Sequence, residues 1–190
     1  MYTLVFDGLF RRIPNTPPDV HAGFMGYGWV IFKGNLPVAT GHGVVGRSKN
    51  ATSGVAEYLA VLEGLEALCD MGLRDEVVVV SGDAKFIIDQ VLGHSSISSP
   101  VIKPLYRQVM RLSRRFTNLH WKWTKRSRNR LADALTRHAF RKVHEDPGQY
   151  QAALNALQQP ETHQTNQLMP LVDLRVFRSS GVELATMMSF

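Results

Sequence analysis

Two short stretches limit the folds open to this chain. "VVVVSGD", residues 77–83, is an apolar run that closes on a glycine and a carboxylate. "YTLVFDG", residues 2–8, has the same shape, with Asp7 before Gly8. A continuous run of β-branched residues bounded by a turn signal reads as a strand buried on both faces, so helices must lie above and below it. The remaining sequence supplies those helices. "YGWVIFKGNLPVATGHGVV" (27–45) reads as two strands joined at Lys33-Gly34-Asn35. "VAEYLAVLEGLEALCDMG" (55–72) repeats apolar residues near helical period and stops at Gly72. "AKFIIDQVLG" (84–93) is a short helix, and Ser99-Pro100 opens a longer one that runs to Arg115 or Phe116. "NLHWKWT" (118–124) alternates as a fifth strand, and "RNRLADALTRHAFRKVH" (128–144) is a final helix. Hairpin connections first and helical crossovers later predict an α/β fold with a five-stranded mixed sheet flanked by helices. "RRIPNTPPDVHAGFMG" (11–26), rich in proline and glycine, is expected to be a long loop.

A chain of 190 residues holds one well-cored domain and an extension. The expected division is 1–144 for the domain and 145–190 for a linker and C-terminal extension. "DPGQYQAALNALQQPETHQTNQ" (146–167) has linker composition with a turn or two of helix, and "LMPLVDLRVFRSS" (168–180) reads as one added strand. Its core "LVDLRVF" is a candidate edge for self-association. The single cysteine, Cys69, rules out an internal disulfide. With no membrane-length apolar run and no signal-peptide pattern, the expected setting is the cytoplasm and no membrane partner is expected.

Charge is segregated. Residues 1–144 hold 20 Lys and Arg against 11 Asp and Glu, a balance of +9, whereas residues 145–190 hold 2 against 5. Between Lys103 and Arg130 there are ten basic residues and no acidic one. That pattern suits a polyanion partner.

The two strand-end acids have company. If their strands are parallel neighbours, Asp7 and Asp83 meet at the carboxyl edge of the sheet, where open α/β folds build sites. Glu57 stands near the start of the long helix and Asp133 near the start of the last one, each beside alanine. Four clustered carboxylates repel and raise one another's pKa, and hard divalent cations relieve that. An all-oxygen set suits Mg²⁺, with Mn²⁺ as the alternative, rather than Zn²⁺. Each acid also has a plain structural reading. Asp7 can shape a turn, Asp83 can cap a helix, and Glu57 can complement a helix dipole.

The local patterns around these acids resemble ribonuclease H of type 1, over about residues 1–142. "FDG" (6–8) looks like its first-strand motif and "GYGWVIF" (26–32) its second strand. "VAEYLAVLEGLEAL" (55–68) is similar to the helix that carries its glutamate, and "VSGDAKFIIDQ" (80–90) to its second aspartate. "WKWTKRSRNRLADAL" (121–135) resembles the stretch that ends in the fourth acid, with Asn129 four positions before Asp133. Only "HSSISSP" separates the two middle helices, so the basic handle of some members is missing, as in archaeal-type and plant-type ones. Thr52-Ser53-Gly54 stands where members often show Thr-Asn-Asn, and no His precedes Asp133 in its loop.

The resemblance implies an endonuclease that hydrolyses the RNA strand of RNA–DNA hybrids by two-metal-ion catalysis, leaving 5′-phosphate and 3′-hydroxyl ends. It implies Asp7, Glu57, Asp83 and Asp133 as catalytic residues and ligands of two Mg²⁺ ions. Thr52, Ser53, Arg114, Arg115, Lys125, Arg126 and Asn129 are expected to contact nucleic acid, with double-stranded RNA as a second candidate partner. Two alternatives stay open: a DNA-cutting nuclease or transposase of the same fold, and a non-catalytic hybrid-binding module.

Overall fold

The computed structural model of the protein describes residues 1–16, 21–158 and 167–177. The chain runs β1 (Tyr2–Arg12), β2 (Gly23–Lys33), β3 (Leu36–Arg47), α1 (Ser53–Asp70), β4 (Val77–Gly82), α2 (Lys85–Val91), α3 (Ile102–Ser113), β5 (Asn118–Trp123), α4 (Arg130–Val143), α5 (Pro147–Gln158) and β6 (Met169–Phe177). A 3-10 turn, Arg126–Arg128, precedes α4. The sheet has the order β5-β4-β1-β2-β3-β6. Among the described residues it therefore has six strands, five from the domain and β6 added from the C-terminal extension. β5, β4 and β1 are parallel, and β1, β2, β3 and β6 alternate in direction.

β1 corrects the expectation of a short strand and a long loop. It continues five residues past Asp7, because β2 keeps pairing with it from Gly8↔Tyr27 to Arg12↔Gly23. Its parallel ladder with β4 does end here, at Phe6↔Gly82. Asp7 is thus the first residue of β1 with β2 on one side and nothing paired on the other.

Each face of the sheet has its own core. On one, Leu4, Phe6, Tyr27, Trp29, Val78 and Val80 pack under α1, α2 and α3. α1 is apolar nearly all round because the sheet lies beneath it and α3 packs beside it. On the other, Phe24 and Val44 pack with Ala139, Phe140 and Val143 of α4 and with Ala153 and Leu157 of α5. The segment after Asp146 is a twelve-residue helix, longer than the turn or two expected, because Ala153 and Leu157 share one face and bury it.

β6 closes the sheet on β3, from Ala39↔Phe177 to Gly46↔Met169. "LVDLRVF", read as an edge for self-association, pairs with β3 of its own chain and forms the outer strand of the sheet. Pro170, which has no N–H to donate, is tolerated on this outer strand. Two side chains fasten it. Tyr27 donates its hydroxyl to Asp173 at 3.0 Å. Arg175 pairs with Glu63 of α1, and also lies 3.4 Å from Glu66 and 3.7 Å from Asp70. Burial raises the Glu63 pKa, and the Arg175 guanidinium opposes that shift. Arg175→Ala should leave the half-buried Glu63 without its cation and cost about 1–2 kcal/mol. The check is the urea midpoint against wild type; an unchanged midpoint would mean that β6 is held by its backbone ladder alone.

Candidate active site

The site lies where β1 loses β4 as a neighbour. Asp7 is 6% exposed. Asp83 follows the last residue of β4, beside it. The possibility that Asp83 caps a helix is closed, since Ala84 occupies the cap position of α2 and no side chain caps it. Asp7 lies within a strand, so it shapes no turn. Glu57 comes from above, on α1, beyond its first turn, which contains no acid.

Gly8 makes that approach possible. A Cβ there would collide with the backbone of Ala56 and Glu57. With only hydrogen at Gly8, α1 settles directly on β1, and the Gly8 N–H hydrogen-bonds the Glu57 carboxylate. On the other face Gly28, opposite Asp7 in β2, lets α4 approach equally closely: a Cβ there would fall 2.7 Å from the Ala132 carbonyl oxygen and the Thr136 hydroxyl. Thr136 in turn places its hydroxyl 3.1 Å from the Asp7 carbonyl.

Asp7, Glu57 and Asp83 each place a carboxylate oxygen within 4.8 Å of the other two. Burial, then Asp83 and Asp133, push the Asp7 pKa up to about 7. Burial, then Asp7 and Asp83, raise that of Glu57 well above the ordinary range. Glu57 Oε2 is buried without a hydrogen-bond partner among the described residues. A hard divalent cation fits this set. It would satisfy the orphan oxygen and neutralise the repulsion, and all its ligands would be oxygen.

Asp133 is not among the three clustered oxygens. Arg126 lies 3.3 Å from its Oδ1 and Arg137 2.8 Å from its Oδ2, so both oxygens face arginines. Asp133 nonetheless stands near enough to raise the Asp7 pKa, and Arg126 near enough to lower it.

The expected nucleic-acid contacts divide. Lys125 and Arg126 are exposed on the loop beside the acids, and Ser53 is exposed at the start of α1. Thr52 is the N-cap of α1, accepting from the Val55 N–H at 3.2 Å. Asn129 corrects its expectation. It is wholly buried, and its amide donates to the Phe6 carbonyl at 2.8 Å and to Asp83 Oδ1 at 2.7 Å. It ties the two strand ends together instead of facing a ligand, because the turn into α4 folds it inward. Arg114 and Arg115 are exposed but lie apart from the acids. They follow α3 just before β5, and β5 starts opposite Val77, at the other end of β4 from Asp83. β4 spans roughly 17 Å, so these arginines stand away from the acids.

Three further residues escaped the sequence reading. Gly8 and Gly28 act by having no side chain. Trp123, 43% exposed, donates its indole N–H to the Asp83 carbonyl at 3.1 Å. Its place at the strand end, next to a basic loop, is the one signal that could have marked it.

Residues 21–139 match the reverse transcriptase-like family. A ribonuclease HI of Halobacterium salinarum is 30% identical over 136 residues, 71% of this chain and 62% of that protein. A bifunctional protein of Mycobacterium tuberculosis is 30% identical over 120 residues, 62% of this chain. The chain spans about a third, 32%, of the length of that mycobacterial relative. Among solved structures, RNase H1 from the halophilic archaeon Halobacterium salinarum superposes with a TM-score of 0.63 at 27% identity, over 74% of this chain and 98% of that one.

Two outcomes follow from this geometry. A carboxyl whose pKa is raised by folding binds more protons folded than unfolded, so its contribution to stability is present at low pH and lost as pH rises through the folded value. In EDTA the melting temperature of wild type relative to Asp7→Asn should therefore fall between about pH 4 and about pH 7, the Asp7 window. Mg²⁺ should restore it near pH 7.5 and do little near pH 4.5, because protons and cations compete for the same oxygens. An equal Mg²⁺ effect at both pH values would put the cation elsewhere. Asn129→Ala should lower Mg²⁺ affinity about 10–100-fold, the range for a partner that orients a ligand. Isothermal titration would read it; unchanged affinity would show that Asp83 needs no tether.

Proposed function

Because this chain belongs to the reverse transcriptase-like family and carries a ribonuclease H-like domain, we propose that it is a ribonuclease H. It cuts the RNA strand of RNA–DNA hybrids as a metal-dependent endonuclease. The observation that carries this reading is the carboxylate cluster of Asp7, Glu57 and Asp83, with a buried orphan oxygen on Glu57. The naming of a 30% identical relative as a ribonuclease HI supports the choice of substrate.

These three acids would hold Mg²⁺, or Mn²⁺ in its place. Two ions are proposed, with Asp133 contributing once its oxygens turn from the arginines. Bound cations supply the acidity that activates a water and the charge that stabilises a leaving oxygen of a phosphodiester. The protein's part is positional. Gly8 fixes Glu57 against β1, Asn129 orients Asp83, and Thr136 anchors the strand at Asp7. Arg126 and Lys125, exposed beside the acids, would offer charge to hold a phosphate. Ser53, exposed at the start of α1, would offer its hydroxyl to the groove, where the 2′-hydroxyl distinguishes RNA from DNA. Cleavage would leave a 5′-phosphate and a 3′-hydroxyl.

The test is labelled RNA–DNA hybrid, double-stranded RNA and double-stranded DNA, each with Mg²⁺ and with EDTA. Only the hybrid should be cut, and only with Mg²⁺. Cutting of double-stranded DNA would favour a DNA nuclease of the same fold, and hybrid binding without cutting a recognition module. Asp83→Asn should keep the fold and lower hybrid cleavage more than about 100-fold, beyond the loss typical of an outer partner. Near-wild-type cleavage by that variant would remove Asp83 from the metal site.

A further inference from the structure

α3 carries a basic stripe that the carboxylate site does not use. Lys103, Arg107, Arg111 and Arg115 follow one another at four-residue steps. Each step along α3 advances about 6 Å and slightly overshoots one turn, so Lys103, Arg107 and Arg111 form a slow spiral on one side of the helix, and Arg115 lies in the turn just beyond its end. All four are exposed, and α3 contains no acidic residue. Among the described residues none of the four makes an ion pair or a side-chain hydrogen bond. The other surface helices behave differently. Lys85 pairs with Asp89 along α2, Arg137 with Asp133 along α4, and Lys142 of α4 with Glu145 just past its end. A helix surface of one sign repels itself, and a polyanion relieves that repulsion.

Each end of the stripe opens onto a concavity. Near the start, Lys103, Tyr106 and Arg107 line a cavity of about 330 Å³ with Gln90, Ser95 and Ser96. Near the end, Arg111 and Arg115 line one of about 560 Å³ with Arg74. Glu66 and Asp70 border the second, but both face Arg175. The stripe begins close to the catalytic face, since Gly54, just ahead of Glu57 on α1, looks onto Ile102 at the start of α3. It ends about 18 Å away along the helix axis, beside the opposite end of the sheet. A duplex lying over the acids is too stiff to turn down this flank. A single strand turns freely.

We infer that α3 is a track for single-stranded nucleic acid that extends from the bound hybrid, its phosphates held in turn by Lys103, Arg107, Arg111 and Arg115. Gln90, Ser95 and Ser96 add neutral hydrogen-bonding groups, and Tyr106 offers a ring on which a base can stack. The inference rests on the hybrid-cutting reading of the carboxylate site and extends it to substrates with single-stranded flanks.

The test compares three ligands on the full chain in EDTA, where no cutting occurs: a blunt hybrid, the same hybrid with an RNA overhang of about fifteen nucleotides, and the overhang sequence alone. Wild type should bind the overhanging hybrid about tenfold more tightly than the blunt one, with a steeper salt dependence. Arg107→Ala with Arg111→Ala should abolish that gain and lower the salt slope by about 1.4, at about 0.7 per lost single-strand phosphate contact. Both side chains are exposed, so melting temperature and Mg²⁺-dependent cutting of the blunt hybrid should stay at wild-type levels. Equal wild-type affinity for blunt and overhanging hybrids, or a gain that survives in the double variant, would overturn the inference. Failure of the hybrid-cutting reading looks different: no Mg²⁺-dependent cutting of the blunt hybrid, with the overhang sequence alone still bound by wild type and lost in the double variant.

Discussion

Three carboxyl groups held within 4.8 Å of one another repel, and the fold is arranged to hold them there. The repulsion is visible in Asp7 and Glu57, whose pKa values burial and mutual charge push upward. The backbone carries all three acids to one place. Asp7 is fixed by ladders on β1, Asp83 by the end of β4 and the Asn129 amide, and Glu57 by a helix that touches β1 at Gly8. Local instability is thus stored in a place where a cation can release it, and the two cores on either side of the sheet supply the stability that tolerates it.

The charged groups are sorted by place. Arginines converge on Asp133, close to the cluster but clear of its three near oxygens. Acids on the outer part of α1, Glu63, Glu66 and Asp70, are gathered by Arg175 of β6. That leaves the cations of α3 without acidic partners among the described residues although acids lie nearby. The C-terminal strand therefore does more than widen the sheet. By engaging the acids of α1 it keeps the far end of α3 positive.

Some features were legible because they are local. Apolar runs, helical period and the Gly72 stop place β4, β5, α1 and α4 correctly, and the order of elements follows from them. The local context of each acid was enough to single out Asp7, Glu57 and Asp83. Features set by pairing were not legible. β1 runs on past Asp7 because β2 is there to pair with it, and nothing in "GLFRR" announces that. α5 hides in a glutamine-rich stretch because only Ala153 and Leu157 need to be buried.

The sequence by itself determined the mixed α/β order, the four acids from which the cluster is drawn and the segregation of charge, since these depend on residue type and local pattern. Tertiary structure alone decided which groups meet. It turned Asn129 inward to brace Asp83 and put Arg114 and Arg115 at the far end of the sheet. It faced Asp133 toward two arginines, and it made Gly8 and Gly28 indispensable by bringing helices onto the strands at those points. The physical reason is that contact is a property of strand register and helix packing. A one-dimensional pattern fixes which face a residue takes, but not what stands across from it.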